Sequence, residues 1–131
     1  MSRRILIVDD EQKLANAFKA ILSKKGYEVY TAYDGEQALA QIGHMLPDLI
    51  FLDVQIPKLN GFDVCKKLKA DPATKHVGVI FLTAMAQESD VKTGLGLGAL
   101  DYLTKPFYPA AAMALLQKYC PLEPGAEGAE P

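Results

Sequence analysis

Five short apolar runs recur along the chain, each followed by a stretch whose apolar residues return every three or four positions. The runs are RILIV (residues 4–8), YEVYTA (27–32), LIFL (49–52), VGVIFL (77–82) and ALDYL (99–103). Three are apolar almost throughout, the pattern of parallel strands covered on both faces. Between them, Leu14, Phe18, Ile21 and Leu22 keep helical spacing and stop at Gly26, a residue suited to closing a helix. Asp34-Gly35 opens a second helix with Ala38, Leu39 and Ile42 on one side. Asn60-Gly61 opens a third, with Phe62, Cys65 and Leu68 inward and Lys66, Lys67 and Lys69 outward. A fourth is predicted over about residues 87–97, and a fifth over 109–119 with Pro109 in its first turn. The alternation is (βα)5, which predicts a single doubly wound α/β domain around a five-stranded parallel sheet, helices on both faces. That domain is expected over residues 1–120. Residues 121–131, PLEPGAEGAEP, read as a disordered acidic tail or a truncated linker.

Composition changes this picture little. Half of the 131 residues are apolar and 23% are charged, the balance of a globular protein. Net charge is −2, and the tail holds Glu123, Glu127 and Glu130 with no base, so residues 1–120 carry 14 basic against 13 acidic residues. Neither balance points to direct binding of nucleic acid or to a membrane surface. The start, MSRRILIVDDE, places basic residues before an apolar run, but two aspartates cut that run too short for a signal sequence. No run is long enough to span a bilayer, and a cytoplasmic location is expected. Cys65 and Cys120 are far apart and lack metal-type spacing, and neither His44 nor His76 has an acid placed to suggest a phosphohistidine site.

The chemistry lies where the strands end. In open α/β sheets, ligands bind outside the carboxyl ends of the strands at the topological switch point. The first strand delivers Asp9-Asp10-Glu11 there, the third Asp53, the fourth Thr83-Ala84, and the fifth leads into Thr104-Lys105-Pro106. If the first and third strands are neighbours, three aspartates converge. Their repulsion would raise one another's pKa unless a cation neutralised them. An all-oxygen donor set favours magnesium, which often shares its shell with a phosphate. A lysine and a hydroxyl opposite then complete a phosphoryl-transfer constellation, with Asp53 as nucleophile and the acidic pair holding metal. Taken singly, each residue has a blander reading: a strand-end aspartate as a turn former, Thr83 as a helix cap, Lys105 as a solvated lysine.

The ordered set ILIVDDE, PDLIFLDVQIPKLNGFDVCKKLK, VIFLTA and GALDYLTKPF resembles the receiver domain of two-component response regulators, over about residues 4–119. The resemblance implies a flavodoxin-like sheet of order 2-1-3-4-5. It implies that Asp53 accepts a phosphoryl group from a sensor histidine kinase or histidine phosphotransfer protein, as part of a phosphorelay. Magnesium would be ligated by Asp10 and Asp53, by Asp9 through water, and by the backbone carbonyl of Gln55. Lys105 and Thr83 would bind phosphoryl oxygens, as would the backbone amide of Ala84. Thr83 and Tyr102 would form the switch, Tyr102 turning inward as the threonine moves. The Lys105-Pro106 bond would be cis. The side chains of Gln55 and Met85 would lie near the site and tune hydrolysis. Such a domain catalyses only its own phosphorylation and dephosphorylation, so it is not expected to be an enzyme.

Some features depart from the pattern or compete with it. Gly94 and Gly96 each weaken a helix by roughly 0.5–1 kcal/mol relative to alanine, which predicts a short, labile fourth helix. PAAAMALLQKYC is either a well-buried helix with inert alanines or a partner surface. On the second reading the face of the fourth helix, fifth strand and fifth helix is a homodimer or partner surface, a face that receivers often use. Gly78 stands where many receivers carry proline. A P-loop is excluded because no glycine-rich Lys-Ser/Thr turn follows the first strand. GLGLG at 94–98 precedes a strand instead of following one, and Gln55 stands where an aspartyl phosphatase usually places a second aspartate. The serious alternative keeps the fold and drops the chemistry: a protein-interaction module that works without phosphorylation.

Overall fold

The computed structural model describes residues 3–84 and 88–122. Strands β1 (Arg4–Val8), β2 (Glu28–Ala32), β3 (Leu49–Asp53), β4 (Gly78–Thr83) and β5 (Asp101–Thr104) alternate with helices α1 (Gln12–Lys24), α2 (Gly35–Met45), α3 (Gly61–Ala70), α4 (Glu88–Gly96) and α5 (Pro109–Tyr119). The sheet order is β2-β1-β3-β4-β5, with every neighbouring pair parallel. The doubly wound architecture is thus the one the alternation implied, and the flavodoxin-like strand order the one the resemblance implied.

The unbroken apolar runs follow from burial on both faces of the sheet. Alternate residues of β1 and β3 serve opposite cores: Ile5, Ile7, Leu49 and Phe51 pack with Phe18 and Leu22 of α1 and Leu116 of α5. Leu6, Val8, Ile50 and Leu52 pack with Ile42 of α2 and with Val64, Cys65 and Leu68 of α3. Strand side chains alternate between faces, so a central strand covered twice can hold no polar residue until it ends. All five residues of β3 are buried, Asp53 included.

Local signals set the helix ends. The Asp34 carboxylate accepts from the Gln37 amide (2.8 Å), and the Asn60 side chain accepts from the Asp63 amide (2.9 Å), so each sequence-predicted opening is a capped one. Gly26 follows α1 with φ of 108°, a backbone that L residues rarely adopt.

Several positions differ from the sequence pattern. Leu14 does not face the core: it is 39% exposed, and Ala15, Phe18 and Leu22 form the buried stripe of α1. The inward arc of this helix is narrow, and Leu14 lies with Ile21 on its flank. The Lys69 ammonium is not simply outward, because it donates to the carbonyls of Lys75 (3.0 Å) and Val77 (2.7 Å) and closes the loop after α3. Helix α5 is not well buried: only Ala112 and Leu116 are, while Ala110, Ala111 and Ala114 are exposed. The two glycines of α4 also differ. A Cβ on Gly94 would stand 2.8 Å from the Phe81 ring, whereas Gly96 faces open space. Gly94 therefore allows α4 to approach the sheet closely, beyond any weakening of the helix. After α5, Tyr27 Oη donates to the Cys120 carbonyl (3.0 Å) and Arg3 Nε to that of Pro121 (3.1 Å). Residues 123–131, the rest of the expected tail, lie outside the described residues. Among those described, no helix is long and apolar enough to cross a membrane.

Candidate functional site

The parallel register brings the candidate residues to one edge. Val8 pairs with Leu52, so Asp9 and Asp53 emerge side by side. Asp53 in turn pairs with Leu82, and Thr83 with Thr104, which places Thr83 and Lys105 beyond the next two strands. Asp9, Asp10 and Asp53 each offer a carboxylate oxygen within 4.8 Å of the others. Asp9 and Asp53 are buried, at 2% and 6% exposure, while Asp10 is exposed.

The two buried carboxylates are held in the same way. Asp9 Oδ1 accepts from the Glu11 amide (3.0 Å), and Asp53 Oδ1 from the Gln55 amide (2.9 Å). The remaining oxygen of each, Oδ2, accepts from Lys105 Nζ at 2.9 Å. Lys105 thus bridges the first and third strands from the end of the fifth. Its backbone is fixed too: its amide donates to the Thr83 carbonyl (2.7 Å), and the Lys105-Pro106 bond is cis. Burial pushes the Asp53 carboxyl above its usual range, and the Asp9 charge adds to this. The hydrogen bonds from Lys105 and the Gln55 amide oppose the rise without cancelling it. For Lys105, burial opposes the charged form, yet hydrogen bonds and Coulomb attraction from Asp53 and Asp9 outweigh it and hold the ammonium well above the lysine range. The lysine is charged at any physiological pH.

Three carboxylates and one ammonium leave two negative charges, and their donors are hard oxygens on one wall of a cleft. This suits a small divalent cation better than a zinc or copper site, which would draw on nitrogen or sulfur. The cleft has a volume of about 880 Å³, and Gln55, Thr83 and Ala84 line it together with the acids and Lys105. Gln55 is exposed, and its amide ties the loop after β3 to Asp53. Met85 lies outside the described residues.

Tyr102 stands apart from this cluster. It is 37% exposed on β5. A hole of about 10 Å³ lies between β4, β5 and α4, where Thr83, Val91, Gly94 and Leu95 meet Tyr102. A void of that size barely admits a water, so a phenol ring could enter only if α4 moved.

Two features were not singled out from sequence. Glu11, itself exposed, reaches Lys105 Nζ at 3.3 Å. The cleft also extends from the acids along an apolar wall made by Leu14 and Ile21 of α1 and by Phe107 and Pro109 near the start of α5. The signal for that wall was present in Leu14, an apolar residue beside the buried stripe of α1, but periodicity alone assigned it to the core.

A doubly wound sheet whose carboxyl edge gathers three aspartates, a threonine and a cis-proline-linked lysine defines the receiver class of signalling domain. The model of the response regulator receiver domain family matches residues 5–117, and the chain belongs to that family. It is similar to the response regulator PleD of Caulobacter vibrioides, with 49% identity over 106 residues, 81% of this chain and 23% of that protein. It is also similar to the alkaline phosphatase synthesis transcriptional regulatory protein PhoP of Bacillus subtilis, with 46% identity over 109 residues, 83% of this chain and 45% of PhoP. Among solved structures, the chemotaxis response regulator CheY4 of Vibrio cholerae superimposes with a TM-score of 0.85 at 31% identity, covering 91% of this chain and 99% of CheY4. The chain therefore spans less than half the length of the two curated relatives.

Proposed function

We propose that this chain is a phosphoacceptor switch: Asp53 takes a phosphoryl group from a phosphohistidine on a histidine kinase or phosphotransfer protein. The observation that carries this reading is the single ammonium of Lys105, 2.9 Å from both Asp9 and Asp53 inside an acidic cleft. An Asp53 oxygen attacks phosphorus, the nitrogen–phosphorus bond breaks, and the freed imidazole nitrogen takes its proton from solvent. The product is an acyl phosphate on Asp53, which water later hydrolyses. Asp53 attacks as its carboxylate, a nucleophile that has no proton to give up, so no general base is required. Lys105 is charged before the reaction and can follow the charge from the Asp53 oxygen to a phosphoryl oxygen without gaining or losing a proton. Thr83 and Ala84 line the same cleft, and the Thr83 hydroxyl and Ala84 amide would donate to further phosphoryl oxygens. Asp9, Asp10 and Asp53 with the Gln55 carbonyl would hold magnesium, which supplies charge neutralisation between carboxylates and phosphoryl group. The apolar wall of Leu14, Ile21 and Phe107 suits a helix of the donor, laid beside the acids.

The output is a change of surface. Leu95 on α4 and Tyr102 on β5 are exposed beside one another, Leu100 is exposed in the loop between them, and this face suits a partner or a second copy. Entry of Tyr102 beneath α4 would reshape it. The domain turns over no free substrate.

The test is exposure to acetyl phosphate or phosphoramidate with and without magnesium, read by intact mass. One phosphoryl group should be gained, only with magnesium, and not in Asp53→Asn. Labelling that persists in that variant, or that proceeds equally in EDTA, would sink the reading.

A further inference from the structure

We propose that Gly35, at the first turn of α2, is a positioning residue for the phosphorylation site, a proposal that rests on the phosphoacceptor reading above. The loop after β3, residues 54–60, carries Gln55, whose amide donates to Asp53 Oδ1 at 2.9 Å and whose carbonyl would join the metal ligands in the reading above. This loop does not hold its shape alone. Lys58 has φ of 73°, a conformation unfavourable for a residue with a side chain. The Gly35 amide donates to the Pro57 carbonyl (3.1 Å), the same oxygen that accepts from Leu59 (2.9 Å). Lys58 Nζ, on an exposed side chain, lies 3.8 Å from Asp34 and 3.5 Å from Glu36, two individually weak contacts from the same helix start. The decisive contact is steric. A Cβ on Gly35 would stand 2.5 Å from both the carbonyl oxygen and the Cβ of Leu59. One body would have to move. Helix α2 is anchored by fully buried Ala38 and by Ile42 at 2% exposure, whereas Pro57 and Lys58 are exposed. The loop therefore gives way, four residues from Gln55.

The same helix provides a control, because a Cβ on Gly43 meets nothing within 4 Å. Gly43→Ala should strengthen α2 and leave the site alone, and it forms the background for Gly35→Ala. In the G35A/G43A chain, relative to G43A, magnesium affinity by calorimetry should fall at least tenfold, as should the rate of phosphorylation by acetyl phosphate. A displacement of under an ångström at such a site suffices for losses of about that size. In metal-free protein, the Gln55 amide should exchange with solvent at least tenfold faster, while amides in β1 and α1 keep their protection. Magnesium affinity and Gln55 exchange within twofold of G43A would overturn the proposal and leave the phosphoacceptor reading standing. So would failure of G35A/G43A to fold, since Gly35 would then serve the fold at large. If G43A itself gained no phosphoryl group, the phosphoacceptor reading would fall, and the metal-free exchange at Gln55 would still decide the role of Gly35.

Discussion

Replacing Lys105 with methionine keeps the length of the side chain and removes its charge. Lys105 is 13% exposed, and its partners Asp9 and Asp53 are 3% and 9% exposed at the side chain. Removing one member of a buried charged cluster costs about 3–5 kcal/mol, because the others are left unpaired in a poorly solvated place. Here the cleft opens to water, and one carboxyl can take up a proton, so about 2–3 kcal/mol is expected for the metal-free protein. The contact with Glu11, which is exposed, adds little. For a domain of this size that corresponds to a fall in Tm of about 7–11 °C. The same change removes the cation that competes with a metal for the carboxylates. Magnesium should therefore bind the variant more tightly, and at a hundredfold excess over Kd it would restore about 2.7 kcal/mol. Thermal unfolding followed by circular dichroism, in EDTA and in magnesium, should show a large gap between variant and wild type that narrows with the metal. Equal stability in EDTA would refute the buried-cluster argument. A gap that stays constant in magnesium would refute the sharing of the carboxylates between lysine and metal.

Other outcomes follow from the same geometry. Because Asp53 has a raised pKa, the native state holds more protons than the unfolded chain between the ordinary carboxyl value and the raised one. Its ionisation thus destabilises the fold as pH rises through that window. In EDTA, Asp53→Asn should be more stable than wild type at pH 7, and urea unfolding should show the gain shrinking as pH falls toward 4. Gly94→Ala should cost about 1–3 kcal/mol, because its methyl group must displace the Phe81 ring, itself packed edge-on against Phe62 at 5.1 Å. Gly96→Ala should raise stability by about 0.5 kcal/mol, and urea titrations would separate the two. Leu14→Glu should leave labelling by acetyl phosphate within about twofold of wild type. It should slow transfer from a phosphorylated histidine phosphotransfer protein at least tenfold, since only that donor needs the apolar wall.

The sequence by itself determined the elements, their order and which polar residues the strands deliver to one edge of the sheet. The reason is that periodicity and punctuation act locally: LIFL has to be a twice-covered strand, and Asp34 and Asn60 cap the helices that follow them. It also named Asp9, Asp10, Asp53, Thr83 and Lys105 as a set, because each stands just after an apolar run and the ends of parallel strands share an edge. Which strands are neighbours is not local, and only the order β2-β1-β3-β4-β5 brings Asp9 to Asp53 and lets Lys105 reach both. Leu14 and Lys69 show the same limit at the level of single side chains. An apolar residue at helical spacing can lie beside the core stripe, and a lysine can be turned back onto carbonyls by a loop that its own helix does not encode. The glycines show it most sharply. Gly35 and Gly43 lie in α2 and Gly94 and Gly96 in α4, yet two face open space and two meet another element at 2.5–2.8 Å. Nothing within a helix reveals that difference, because it is set by whatever the folded chain has laid against it.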